Sequence, residues 1–226
     1  MFKVITDHPI ALESMDHIDP HGSKNDNSIN HRFNDKIYRI VNKKPMYILD
    51  IGCAGGGFVK SCIDDGHLAI GLEGSDYSYK HQRAEWAIIP NNLFTCDVTY
   101  PFQIQYNGQP VLFDLITAWE FAEHISEDKW PQLTQNLISM MHERSLLIMS
   151  ISMSYLTLED HKYHVCIRPV EWWVIKFIEW GFVLRQDIMD CFKYNEYVRF
   201  DPNLLAKQYP NNFAIILQRA LIQHDV

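Results

Sequence analysis

From residue 46 onward, apolar positions alternate between two rhythms. Continuous short apolar runs at about 46–51, 68–73, 92–96, 111–117 and 145–152 predict strands. Between and after them, apolar residues recur every three to four positions at about 57–65, 76–88, 128–143 and 169–180, which predicts helices. In the third of these, Trp130, Leu133, Leu137, Ile138 and Met141 share one face and read as core packing. The fourth opens at Arg168-Pro169, and proline is favoured at a first helical position. Strands alternating with crossover helices predict a mainly parallel α/β sheet covered on both faces. After Gly181 the rhythm changes. Stretches 182–189 and 213–219 read as two strands without a helical crossover of normal length between them, hence an antiparallel end pair. The connection 190–212 carries Phe192, Tyr194, Tyr197, Phe200 and Tyr209, and inserts of that length often cover sites.

Upstream, Ile29, Phe33, Ile37 and Ile40 keep helical spacing up to Lys43-Lys44-Pro45, predicting a helix that leads into the core. Residues 1–28 are polar, with His8, His17, His21, Asp16, Asp19 and Asp26 scattered among turn formers. Those spacings match no metal motif, so the segment reads as a mobile or surface-draped arm. The division expected is an N-terminal arm and helix over 1–44 and a single domain over 45–226.

Composition narrows the function classes. The 226 residues are 47% hydrophobic, enough for a sizeable core, and 28 acidic against 20 basic residues leave a formal charge of −8. Extended non-specific nucleic-acid binding needs clustered Lys and Arg, so the acidic balance weighs against it, although a local basic patch stays compatible. Cys53, Cys62, Cys96, Cys166 and Cys191 are odd in number and form no CxxC pair, which predicts free thiols in a reducing compartment. No secretory signal is expected at the N-terminus, and no apolar run approaches the about 20 residues of a membrane span. A soluble, cytoplasmic protein is the expectation.

Chemistry concentrates at strand ends, where open parallel sheets bind their ligands. Asp50 ends the first strand and runs into a glycine-rich turn, Gly52-Cys53-Ala54-Gly55-Gly56-Gly57, where glycines let the backbone bend sharply and a ligand approach. The acid disfavours phosphate and suits hydroxyls or an ammonium group. Glu73 ends the second strand, Asp97-Val98 the third and Trp119-Glu120 the fourth. Glu73 is suited to accept from both ribose hydroxyls and Asp97 from an exocyclic adenine amine, with Val98 as an apolar wall. A Walker loop would need Gly-Lys-Ser/Thr where this turn has Gly57-Phe58-Val59. A nicotinamide site would place a pyrophosphate beside Asp50, which would repel it.

In this order, the four strand ends resemble those of the class I S-adenosylmethionine-dependent methyltransferases, over roughly residues 46–220. The family's Asp-x-Gly-x-Gly-x-Gly loop falls on Asp50, Gly52, Ala54 and Gly56, with alanine in place of the second glycine. The resemblance implies a Rossmann-like, doubly wound, seven-stranded sheet ordered 3-2-1-4-5-7-6 with strand seven antiparallel. It also implies S-adenosylmethionine as donor, held by Asp50, the 52–56 turn, Glu73, Asp97 and Val98, with Trp119 alongside at the fourth strand end. Trp119 and Trp172 remain open between stacking on a ligand ring and ordinary packing.

Just past the fourth strand stands Glu120-Phe121-Ala122-Glu123-His124. If this turn coils helically, Glu120 shares a face with Glu123 and His124. The Glu-x-x-Glu-His string is similar to that of the ubiquinone-pathway O-methyltransferases and the small-RNA 3′-terminal 2′-O-methyltransferases. That likeness implies a divalent metal, Mg²⁺, Mn²⁺ or Zn²⁺, on Glu120, Glu123 and His124, with His164 as a fourth ligand. The same residues leave two other readings open: His124, with Glu120, as general base or acceptor-positioning group, or a purely structural role. The function expected is methylation of an oxygen on a small acceptor such as a sugar or phenol. The alternatives are an RNA 2′-O-methyltransferase and a non-catalytic subunit that kept the fold.

Overall fold

The computed structural model describes residues 1–158, 161–193, 196–197 and 212–221. The chain opens with β1 (Phe2–Thr6), two single-turn helices α1 (Met15–Ile18) and α2 (Gly22–Asn25), and α3 (His31–Val41). There follow β2 (Tyr47–Ile51), α4 (Gly57–Asp64), β3 (Leu68–Glu73), α5 (Tyr77–Lys80), β4 (Leu93–Thr95), β5 (Phe102–Tyr106), β6 (Gln109–Pro110) and β7 (Phe113–Trp119). The remainder is α6 (Trp130–Ser139), β8 (Met141–Ser152), the short pair β9 (Thr157–Leu158) and β10 (His161–Lys162), α7 (Val170–Glu179), β11 (Phe182–Leu184), α8 (Gln186–Met189) and β12 (Asn212–Arg219).

Seven strands form the main sheet in the order β4-β3-β2-β7-β8-β12-β11, which is 3-2-1-4-5-7-6 when those strands are counted along the chain. The five on the β4 side pair in parallel, and β12 runs antiparallel to both β8 and β11. The expected fold is therefore the one observed, end pair included.

Successive side chains of a strand point to opposite faces, and the two cores follow that parity. Leu49, Ile51, Ile116, Ala118, Leu147 and Met149 join Trp130, Leu133, Trp173 and Phe177 under α6 and α7. Ile48, Leu115, Trp119, Leu146 and Ile148 join Phe33, Ile37, Phe58 and Val59 under α3 and α4. Trp119 is thereby committed to the α3–α4 face, with its ring 4.9 Å from Phe33 and nearly perpendicular to it. Helix α3 starts at Asn30, whose side chain accepts from the Arg32 N–H at 3.1 Å, and stops at Asn42 in a left-handed conformation (φ 49°).

Boundaries differ from the periodic reading in three places. The 76–88 helix splits into α5 and a 3-10 turn at Ala84–Ala87, because Gln82 and Ala84 take positive φ. The 128–143 helix ends at Ser139, since Met141 already pairs with Phe113 in the sheet. The 182–189 strand gives way to α8 after Leu184.

The first residues of the arm add an element. β1 pairs antiparallel with β5, Phe2 opposite Tyr106 and Thr6 opposite Phe102, and β6 completes a three-stranded sheet. The turn between β5 and β6 is Asn107-Gly108, both at positive φ, a strong short hairpin signal. In the 190–212 connection, Phe192 and Tyr197 stack at 5.1 Å, and Phe192 lies 5.6 Å from Phe33. Tyr194, Phe200 and Tyr209 lie outside the described residues.

Candidate active site

A cavity of about 870 Å³ opens at the carboxyl ends of the parallel strands. Small-molecule sites commonly span about 300–1,000 Å³. The ends of β2, β3, β4 and β7, together with the arm, build its walls.

At the first strand end, Gly52, Ala54 and Gly56 all take left-handed backbone (φ 70°, 49° and 87°). Left-handed conformation costs a non-glycine residue about 1 kcal/mol. At Ala54 that cost is met by two hydrogen bonds: its N–H donates to Glu73 Oε2 at 2.8 Å, and its carbonyl accepts from Trp86 Nε1 at 2.8 Å. Gly55 is required for another reason. A Cβ there would stand 2.4 Å from Asn27 Oδ1 and 2.8 Å from the Asp26 carbonyl oxygen, because the arm packs directly on the turn. Asp50 is buried on the α3–α4 side of β2, where its Oδ1 accepts from Thr117 Oγ1 at 2.7 Å. It braces β2 against β7 and is not among the lining residues.

Glu73 and Asp97 do line the cavity, as does Val98. The Glu73 carboxylate is fixed by the N–H groups of Ala54 and Ser75, at 2.8 and 3.1 Å. Asp97 Oδ1 accepts from the Thr99 N–H and hydroxyl at 3.0 and 2.6 Å. Each carboxylate is thus oriented by donors on one side. Cys96, whose N–H donates to Glu73 O at 2.9 Å, is held as a thiol, since burial pushes its pKa up to about 12.

The arm closes one side. The Ala11 N–H donates to Gly74 O at 2.9 Å, the Asp97 N–H to His8 O at 2.9 Å and the Gly55 N–H to Asp26 O at 3.1 Å. Arg83 donates through Nε to Ser23 O at 2.8 Å and through Nη2 to Asp26 O. Within the arm, the Asp16 carboxylate accepts from the N–H groups of His21, Gly22 and Ser23 at 2.8, 2.6 and 2.9 Å, which fixes the start of α2. The segment expected to drape over the surface is therefore draped over the cavity, and Glu13, Asp16 and Asp26 line it.

The opposite wall carries the Glu-x-x-Glu-His string. It does not coil as one helix. Glu120 takes positive φ (49°), and a single 3-10 turn begins at Ala122. Glu120 and Glu123 are thereby separated: Glu120 Oε2 accepts from Asn212 Nδ2 at 2.8 Å, while Glu123 turns inward and is fully buried. Glu123, His124 and His164 bring one ligand atom each within 4.8 Å of one another, and Glu120 is not in that group among the described residues. Both imidazoles are anchored through Nδ1, His124 on Tyr163 O at 3.1 Å and His164 on Ser154 O at 2.6 Å. A carbonyl only accepts, so each Nδ1 carries the proton and, in the neutral ring, each Nε2 is left with its lone pair. Burial lowers the His164 pKa, partly offset by the bond to Ser154, which favours that neutral form. Trp119 and Trp172 do not line the cavity. Trp172 packs against Trp173 at 4.9 Å, beneath the Arg168 guanidinium.

With this geometry in place, the comparison with known families is decisive at one level. A family model described as a methyltransferase domain matches residues 26–202, most of the chain. The chain belongs to this methyltransferase family. Solved structures with the same fold include an S-adenosylmethionine-dependent methyltransferase from Clostridium acetobutylicum, 11% identical with a TM-score of 0.58, covering 85% of this chain and 93% of that one. The glycopeptide N-methyltransferase MtfA complexed with S-adenosyl-L-homocysteine is 10% identical with a TM-score of 0.56, covering 84% of this chain and 90% of its own. A TehB-like methyltransferase from Corynebacterium glutamicum is 13% identical with a TM-score of 0.50, covering 83% and 87%. At such identities the likeness establishes the class I methyltransferase fold. No curated protein sequence matches the chain. No helix among the described residues is long and apolar enough to cross a membrane.

Several lining residues of this methyltransferase had no sequence signal. Glu13, Asp16 and Asp26 sat in a segment read as a mobile or surface-draped arm, and Phe121 and Tyr163 were given no role.

Proposed function

We propose that this methyltransferase moves the methyl group of S-adenosylmethionine to an oxygen of a small acceptor, such as a sugar or phenol. The carrying observation is that Glu73 and Asp97 line one cavity with a pair of imidazoles that are each anchored through Nδ1. In this reading Glu73 accepts from the ribose hydroxyls, Asp97 from the adenine amine, and Val98 packs on the base. The 52–56 turn holds the amino-acid end, and Asp50 supports the turn from below rather than touching the donor. The carbon–sulfur bond breaks with its electron pair on sulfur as the carbon–oxygen bond forms, and the acceptor proton passes to His124 Nε2. Most of the rate comes from positioning the two reactants in line.

A divalent ion on the same wall is the alternative to that base, because either would use the one lone pair of His124 Nε2. Glu123, His124 and His164 would hold it, with both rings already oriented through their outer nitrogens as metal-bound imidazoles usually are. When bound, the ion supplies Lewis-acid stabilisation to an acceptor oxygen. The RNA reading has less support: Lys129 is the sole Lys or Arg among the described lining residues, against several carboxylates. We assign residues 45–226 to methyl transfer and 1–44 to the arm and helix that wall the donor. The setting is cytoplasmic, where four buried thiols and the exposed Cys191 stay reduced.

Calorimetry with S-adenosylhomocysteine tests the donor site: binding is expected, and absence of both heat and thermal shift would remove the reading. Metal content after loading with Mn²⁺ or Zn²⁺ should fall in Glu123→Ala, and equal content in both proteins would remove the ion.

A further inference from the structure

Tyr163 occupies a position that belongs neither to the arm nor to the imidazole wall but touches both. Its side chain is buried, with only 3% of its surface exposed. Its hydroxyl lies 2.6 Å from the Asp19 carbonyl oxygen and 2.8 Å from Asp19 Oδ2. Its own carbonyl accepts from His124 Nδ1 at 3.1 Å. The next residue is His164, and after it the N–H groups of Val165 and Cys166 both donate to Glu123 O, at 2.8 and 3.0 Å. One four-residue segment therefore grips the arm with a side chain, fixes Glu123 and His124 with its backbone, and itself carries His164.

We infer that Tyr163 is a positioning residue that couples the seating of the arm to the orientation of His124. The arm's other attachments to the turn and strand ends are backbone hydrogen bonds around the donor half of the cavity. Among the described residues, Tyr163 links the arm to the acceptor half, through its hydrogen bonds to Asp19 and an edge contact with the His21 ring at 5.9 Å. With the arm seated, the hydroxyl is anchored, the 163–166 segment is fixed, and the Tyr163 carbonyl holds His124 in the Nδ1–H tautomer with Nε2 toward the cavity. With the arm lifted, the hydroxyl loses its acceptor and the carbonyl is free to drift, so His124 loses its preferred tautomer. Coupling of this kind is reciprocal between its two ends. The consequence for methyl transfer rests on the reading above: a bound donor, by holding the arm down, would order the group that receives the acceptor proton.

The test compares the wild type with Tyr163→Phe, which removes the hydroxyl alone, in full-length, chelator-treated protein. Loss of one buried hydrogen bond of this kind should speed amide exchange across residues 14–26 by about tenfold. The ¹⁵N ring signals of His124 should change from a single Nδ1–H tautomer to a mixture. A merely structural tyrosine would not change that tautomer. Faster arm exchange with His124 unchanged, or no change in either, overturns the coupling. Should Tyr163→Phe fail to fold, Asp19→Ala removes one of the two acceptors and should move both readouts in the same direction by a smaller factor. Binding of S-adenosylhomocysteine to the wild type is measured alongside: its absence counts against the donor site, while the exchange and tautomer results still decide the coupling.

Discussion

The two ends of the main sheet use the same residue types for opposite purposes. At the amino end, Asp114 is buried and enclosed: Lys43 Nζ donates to its two oxygens at 2.7 and 2.8 Å, the Tyr47 N–H at 2.9 Å, and His142 Nε2 lies 3.0 Å away. At the carboxyl end, Glu73 and Asp97 are held by backbone donors on one side and face a cavity on the other. The histidines differ in the same sense. His67 at the amino end of β3 uses Nδ1 as an acceptor for the Met46 N–H at 3.0 Å, so its lone pair is consumed inside the fold. His164 anchors Nδ1 as a donor and keeps its lone pair for the cavity wall. Acids and imidazoles therefore do not mark function by type or burial. What marks it is whether the fold has used up their hydrogen-bonding capacity or oriented it outward.

The largest effect expected from breaking this contrast is at the enclosed end. Asp114→Ala strips Lys43, His142 and a buried backbone N–H of their shared partner, and should lower unfolding free energy by about 3 kcal/mol in urea titration. Affinity for S-adenosylhomocysteine, measured on the folded fraction, should stay within a factor of two. A loss below about 1 kcal/mol would mean the cluster is not a structural hub. At the open end the pattern should invert. Glu73→Gln keeps the shape and one acceptor oxygen but removes the charge, so calorimetry should show S-adenosylhomocysteine binding weaker by about tenfold to thirtyfold. Its melting temperature should fall by less than that of Asp114→Ala, since only one of the Ala54 and Ser75 N–H groups loses its acceptor. Unchanged affinity would place Glu73 with Asp114, as a brace rather than a ligand group.

Most of the frame was legible in the sequence. The alternation of strand and helix rhythms was enough for the parallel sheet, and the lack of a normal-length helical crossover after Gly181 for the antiparallel end pair. Parity along β7 also places Trp119 on the α3–α4 face once Leu115 is assigned there, and Asn107-Gly108 announces the β5–β6 hairpin. The arm was not legible, for a physical reason. Most of its attachments to the turn and strand ends run through backbone groups, the carbonyls of His8, Ser23 and Asp26 and the Ala11 N–H, which almost any residue supplies, so little side-chain pattern records them. The Glu-x-x-Glu-His string was legible as chemistry but not as geometry. A glutamate at positive φ is uncommon, and Glu120 adopts it because its N–H is held by Ser150, whose carbonyl and hydroxyl oxygens lie 3.0 and 2.9 Å away.

The smallest effect concerns protons. His67 is buried against Tyr38, and burial, reinforced by the nearby Lys44 charge, lowers its pKa below the ordinary histidine value. The unfolded chain takes up a proton at this residue near pH 6.5, whereas the folded chain resists it until lower pH. The associated stability is therefore fully present above about pH 6.5 and is lost as pH falls through the folded pKa. His67→Asn offers Oδ1 in place of Nδ1 to the Met46 N–H and does not titrate. It should be less stable than wild type at pH 7, because a ring is missing, yet its unfolding midpoint should fall less steeply between pH 7 and pH 5. Parallel curves would show that His67 binds its proton equally well in both states, and that the enclosed end of the sheet tolerates charge where its hydrogen bonding says it should not.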